Sequence, residues 1–156
     1  MSNPIRPLRL FAKPLRLFAK DETDLTIMAT CLQDAIIPVG DIAWLKSKNE
    51  FALAFNRFMW EASGEVLDNS PVYFRTHSLL KIENVINVQS RSLNLQNRSE
   101  ILSMMSLKTF DRGVDLLFSE DKAIRIQVEK LNLILTDMGQ PWPTRWQPNH
   151  SEVNSA

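Results

Sequence analysis

Hydrophobic and polar residues alternate along most of this chain, and a period of two is typical of β-strands with one face in a core. The pattern predicts a short first strand at 15–20, followed later by strands at 42–46 and 51–60. Four polar residues at 47–50 separate the last two, which predicts a hairpin. Both faces of 51–60 are largely apolar, so we expect that strand to be central in the sheet.

One segment follows the helical period instead, from about 24 to 35. Asp21 and Thr23 are candidate N-caps for this helix, and the acidic residues around them suit the positive end of its dipole. Pro38 and Gly40 are expected to end it. Its apolar stripe consists of Leu25, Met28, Leu32 and Ala35.

The second half of the chain returns to strand patterns. Residues 72–91 predict strand material with a break near Glu83–Asn84. Residues 102–110 and 114–119 predict a hairpin around Asp111–Gly113, where turn-forming residues interrupt the alternation. The clearest loop in the body is 61–71.

Residues 123–138 fit two structures. A helical stripe is available, but 124–128 and 131–135 also alternate as two strands of opposite parity. The strand interpretation requires a break near Glu129–Lys130. We favour it because β-branched residues dominate 124–128. The helical stripe would consist of Ile124, Val128, Leu131, Leu135 and Met138.

These elements predict an α+β fold. One main helix packs on a mostly antiparallel sheet, or a partial barrel, of about seven or eight strands. We expect an N-terminal extension at 1–14, a single domain at 15–148 and a frayed tail at 149–156. The expected core includes Leu25, Met28, Leu32, Phe51, Leu53, Phe55, Ile126 and Val128.

The N-terminus contains an exact tandem repeat. Pro7–Lys13 and Pro14–Lys20 have the same seven residues, PLRLFAK. Two copies without drift indicate a recent duplication, so one copy is expected to suffice for the fold. The repeat also places its basic residues on one helical face, as in a transit or membrane-surface segment, although Pro14 opposes a continuous helix.

Composition narrows the function classes. The 156 residues are 44% hydrophobic and 23% charged, which is ordinary for a globular protein. The first 20 residues carry five bases and no acid, so the remainder has a net charge of −5. That acidic body argues against nucleic-acid binding.

No apolar run is long enough to span a membrane, so no membrane partner is expected. A single cysteine, Cys31, excludes an internal disulfide and fits a cytoplasmic location.

The residues show no catalytic or cofactor motif, and we predict neither a metal site nor a cofactor. His77 lacks a partner at useful spacing, and Cys31 on the helix stripe is expected to pack as an apolar residue. The strongest interaction candidates are Trp142, Arg145 and Trp146 in an extended, proline-rich C-terminal arm, because tryptophan and arginine are enriched at binding hot spots. The competing interpretation is that the arm seals an edge of its own domain.

Several fragments, chiefly Val39–Leu45, Asn56–Glu61, Ala123–Glu129 and Pro141–Thr144, are informative together. In this order they resemble the uncharacterised alphaproteobacterial family named domain of unknown function 2948. The resemblance covers roughly 15–148 and leaves the first heptapeptide copy outside. It implies a bacterial cytoplasmic protein, makes a transit peptide less favoured, and supplies no catalytic residues.

Two functional hypotheses remain open. The first is a non-enzymatic binding or accessory module that uses the sheet edge or the arm to bind a protein partner or to form a homodimer. The second is a small enzyme whose site is assembled from scattered polar residues, and a closed pocket where they converge would favour it. The residues considered for that site are Asp41, Arg57, His77 and Arg145.

Overall fold

The computed structural model describes residues 14–62, 66–67 and 69–148. The predicted N-terminal extension, apart from Pro14, and the predicted tail lie outside these residues. One α-helix, α1, spans Glu22–Leu32. The strands are β1 Arg16–Ala19, β2 Ile36–Pro38, β3 Ile42–Leu45, β4 Glu50–Phe58, β5 Val66–Leu67, β6 Ser70–Pro71, β7 Tyr73–Ile82, β8 Val85–Arg91, β9 Ile101–Phe110, β10 Gly113–Phe118, β11 Ala123–Val128 and β12 Leu133–Thr144.

Ten strands form one open antiparallel sheet in the order β1-β12-β7-β4-β2-β9-β10-β11-β8, with β3 paired to β4 off this path. Among the described residues, one α-helix packs on an antiparallel sheet, which confirms the main prediction. The strand count of seven or eight was too low, and the chain is more β than α+β. Strand β2 was not predicted, because it is only three residues long and includes Pro38, which the sequence pattern assigned to the end of the helix. The predicted loop 61–71 also contains the short antiparallel pair β5 and β6.

Helix α1 begins and ends earlier than predicted. Asp21 is its N-cap, and its carboxylate accepts a hydrogen bond from the amide of Asp24 at 2.8 Å. The helix stops before Gln33, and Asp34 takes a left-handed conformation with φ of 65°. The turn at Asp34 therefore ends the helix. Pro38, which was predicted to end it, lies instead in β2.

Most of the predicted strand boundaries are confirmed. The hairpin of β3 and β4 turns through Asn49 in the left-handed conformation, and the break between β7 and β8 lies at Asn84 with φ of 60°. Residues 123–138 form β11 and the start of β12, not a helix, so the strand interpretation was correct. The break between them covers 129–132.

Both halves of the sheet and the helix share one hydrophobic core. It joins α1 and β4 to β7 and β12, and also to β9, β10 and β11. All eight residues that the sequence placed in the core are buried, with at most 8% of their surface exposed. The sheet therefore curves around this core with α1 on its inner side, and β1, β8 and the off-path strand β3 lie at its edges. A smaller cluster consists of Met59, Ala62, Val72 and Phe74.

Candidate functional site

The C-terminal arm continues strand β12. After Met138 the register of β12 against β7 shifts, and pairing resumes with Trp142 opposite Arg75. Gly139 lies in this irregular stretch with φ of 86°, a conformation that side-chain-bearing residues rarely adopt. The proline-rich segment is thus extended, as predicted, and its first part is tied to the sheet through residue Thr144.

The three interaction candidates differ in their surroundings. Trp142 is half-buried, and its ring centroid lies 4.8 Å from that of His77. Trp146 has 71% of its surface exposed, although its amide donates to Thr144 Oγ1 at 3.2 Å. Arg145 is also exposed. Trp142 therefore supports the arm, while Arg145 and Trp146 face solvent.

An aromatic cluster lies next to the arm on the outer face of the sheet. The Phe58 ring centroid is 4.5 Å from Trp60 and 5.7 Å from Tyr73. The guanidinium of Arg75 lies 5.7 Å from the centroid of the Phe58 ring and donates to Asn56 Oδ1 at 2.7 Å. Burial lowers the pKa of Arg75, partly offset by the charge of Asp34. These contacts indicate that the aromatic cluster stabilises the surface formed by β4, β7 and β12.

The most organised polar group lies on the inner face of the same strands. Arg57 has no exposed surface, and it donates to both carboxylate oxygens of Asp137, at 2.8 Å and 2.9 Å. It also donates to both oxygens of Glu61, at 3.0 Å and 2.6 Å. The Ser78 hydroxyl and the Leu15 amide donate to Asp137 at 2.7 Å and 3.0 Å. One buried guanidinium thus joins β4, β12 and the turn after β4.

The charges of this network stabilise one another. Burial opposes the charged form of Asp137, but hydrogen bonds and charge from Arg57, with those from Ser78 and Leu15, outweigh it and lower the pKa of Asp137. Burial likewise opposes the charge of Arg57, and its two carboxylate partners outweigh burial and raise the pKa. The half-buried Cys31 thiol has a raised pKa because of burial, which the charge of Arg57 only partly opposes. That thiol stays protonated at neutral pH.

The residues considered for an enzymatic site do not share one surface. Arg57 belongs to the inner face, while His77 is exposed on the outer face, opposite Asn56 in the register. Asp41 lies in a short 3-10 turn after β2, and Arg145 lies in the arm. The structure instead brings together Arg57, Glu61 and Asp137. The four-residue spacing of Arg57 and Glu61 was a weak signal, and nothing in the sequence pointed to Asp137, 80 residues away.

A surface cleft of about 270 Å³ lies elsewhere, on the outer side of β8, β10 and β11. Its charged groups already pair with each other: Arg125 donates to both oxygens of Asp115, at 2.8 Å and 2.9 Å. Arg91, also in its wall, pairs with Asp121 at 3.2 Å. This cleft contains none of the four residues considered for an enzymatic site.

Within the described ranges, no three residues among His, Cys, Asp and Glu are grouped so that they could hold a metal ion. No described helix is long and apolar enough to cross a membrane.

A family model described as "Protein of unknown function (DUF2948)" matches residues 15–150. No curated protein and no solved structure matches the chain.

Proposed function

Since this chain belongs to the DUF2948 family, whose function is unknown, we propose from its geometry that it is a non-enzymatic binding or accessory module of the bacterial cytoplasm. Its binding surface is the C-terminal arm with Trp142, Arg145 and Trp146, and its partner is another protein. The observation that carries this proposal is the exposure of Trp146, 71% of its surface, on a segment anchored to the sheet.

The anchoring supports a binding role because it reduces the ordering cost of association. Trp142 packs against His77, and Trp146 follows only four residues later. A tryptophan held near a rigid strand loses less conformational freedom on binding than one on a free tail. The adjacent Arg145 adds a charged group of the kind enriched at hot spots.

The inner polar network supports a structural role rather than catalysis. Both carboxylates of the network are bound to Arg57, and Asp137 also accepts from Ser78 and Leu15. A general base needs a carboxylate within reach of a substrate proton, but Asp137 is buried and its pKa is lowered, which weakens it as a base.

Photo-crosslinking in the protein's own cells tests the proposal. A photoreactive amino acid replaces Trp146 in one variant and Ile101, 59% exposed on β9, in a matched control. We expect a discrete crosslinked protein from position 146 and none from position 101. In a separate co-purification, that protein should be recovered with the unmodified chain and lost with the Trp146→Ala variant. The same crosslinked species from both positions, or unchanged co-purification, would assign the arm to the fold alone. A crosslink to a second copy of this chain would mean that the partner is another copy and that the complex is a homodimer.

A further inference from the structure

Strand β1 occupies a slot along the edge of β12, and all of its residues come from the second heptapeptide, Pro14–Lys20. The pairing is antiparallel, from Arg16 opposite Thr136 to Ala19 opposite Leu133. Beyond it, the Asp137 amide donates to the Leu15 carbonyl at 2.9 Å, while the Leu15 amide donates to the Asp137 carboxylate. The slot therefore binds an extended peptide through its backbone.

Side chains add selectivity to this slot. Ala19 is fully buried, and Leu15 and Leu17 are packed against the main core. At the end of the peptide, the Lys20 amide donates to Asp24 Oδ2 at 3.1 Å. Small and branched apolar residues at alternate positions are thus required, which is the usual basis of specificity in strand addition.

We propose that the slot accepts either copy of the heptapeptide, and that Pro7–Lys13 of the same chain replaces β1 when the second copy is damaged. The first copy has the same seven residues in the same order. Every contact described above would therefore find an identical donor, acceptor or side chain, with Leu10 at the position of Leu17. The seven residues that would contact the slot are the same in both copies, and the main difference between the copies is their connection to α1.

That connection decides which copy occupies the slot in the unmodified chain. The second copy leads directly into Asp21, the N-cap of α1. With the first copy in the slot, the seven residues of the second would have to close a loop before Asp21. For a loop of seven residues, the length-dependent entropy cost of closure lowers the population of this arrangement by roughly 20-fold relative to the one with the second copy in the slot. The second copy therefore prevails until a lesion weakens it by more than that factor.

Urea unfolding of two chains tests this exchange: the full chain and a chain that lacks residues 7–13. Leu17→Asp places a charge against the core, and we expect the urea midpoint to fall much less in the full chain than in the shortened one. Adding Leu10→Asp to the full Leu17→Asp chain should restore the larger loss. Leu53→Ala, in the core outside the slot, is the matched control and should lower both midpoints equally.

Equal losses from Leu17→Asp in the two chains, or no further loss from Leu10→Asp, would overturn the proposal. If neither Leu17→Asp chain folds, the milder Leu17→Ala provides the same comparison. The measurement is repeated over a range of protein concentrations with size-exclusion chromatography. The smaller loss of stability in the full Leu17→Asp chain could depend on protein concentration and appear together with a dimer. That result would mean that the first copy enters the slot of a second molecule, which would overturn the assignment to the same chain.

Discussion

Removal of the Asp137 carboxylate should be among the most damaging single changes in this chain. Asp137→Ala leaves the Arg57 guanidinium, which has no exposed surface, with Glu61 as its remaining carboxylate partner in the network. It also removes the acceptor of the Ser78 hydroxyl. Breaking one side of a buried ion pair typically costs about 3–5 kcal/mol. We expect a loss near the lower end of that range, because Glu61 still contacts Arg57.

A double-mutant cycle shows whether the pairing itself causes this loss. Asp137→Asn and Arg57→Met are made singly and together, and the free energy of unfolding is measured in urea by tryptophan fluorescence. The contacts at 2.8 Å and 2.9 Å predict that the two losses are not additive, with a coupling of about 1–3 kcal/mol. A loss from Asp137→Ala below about 1 kcal/mol, or strictly additive single changes, would refute the reasoning.

The same pair predicts a dependence on pH. The pKa of Asp137 is lower in the folded state than its ordinary value of about 3.9. Its contribution to stability is therefore fully present above that ordinary value and is lost as the pH falls through the lower, folded value. Asp137→Asn should lose less stability than the unmodified chain as the pH falls below about 4. Parallel acid-unfolding curves for the two chains would contradict this assignment.

Three further changes test other parts of the fold. Leu53→Ala should cost about 2–5 kcal/mol, because Leu53 is fully buried, and a loss under about 0.5 kcal/mol would contradict its place in the core. Trp142→Ala should cost over ~1 kcal/mol, whereas Trp146→Ala should stay within about 0.5 kcal/mol; equal losses would assign both residues to the fold. Deleting Pro7–Lys13 should leave cooperative thermal unfolding, and a broad, non-cooperative melt would show that both copies are structural.

The sequence predicted the elements whose pattern is local. Alternation located β4, β9 and β11 because one or both faces of each are buried, and each such face recurs with a period of two. The Asp21 cap was visible because it acts on a residue three positions away. Strand β2 was missed because three residues are too few to establish a period, and its pairing with β4 and β9 is set by distant segments.

The candidate sites show the same limit. The position of Trp142 between Pro141 and Pro143 predicts that it is mostly buried and that Trp146, further along, is more exposed. Trp146 is indeed exposed, but Trp142, which lies in β12, is only half-buried. The network around Arg57 was beyond prediction, because the facing of Asp137 depends on the register of β12 against β7. That register is shared by many residue pairs and is fixed by the whole core, so no single spacing in the sequence reveals it.

The pairing of β1 with β12 has a consequence for synthesis on the ribosome. The Leu15 amide and the Asp137 carboxylate that it contacts are 122 residues apart, so nearly the whole chain must be translated before they can meet. Until then the apolar inner faces of β7 and α1 lack Leu133 and Leu135, which cover part of the same core. The nascent chain therefore exposes these apolar surfaces until its last strand has been translated.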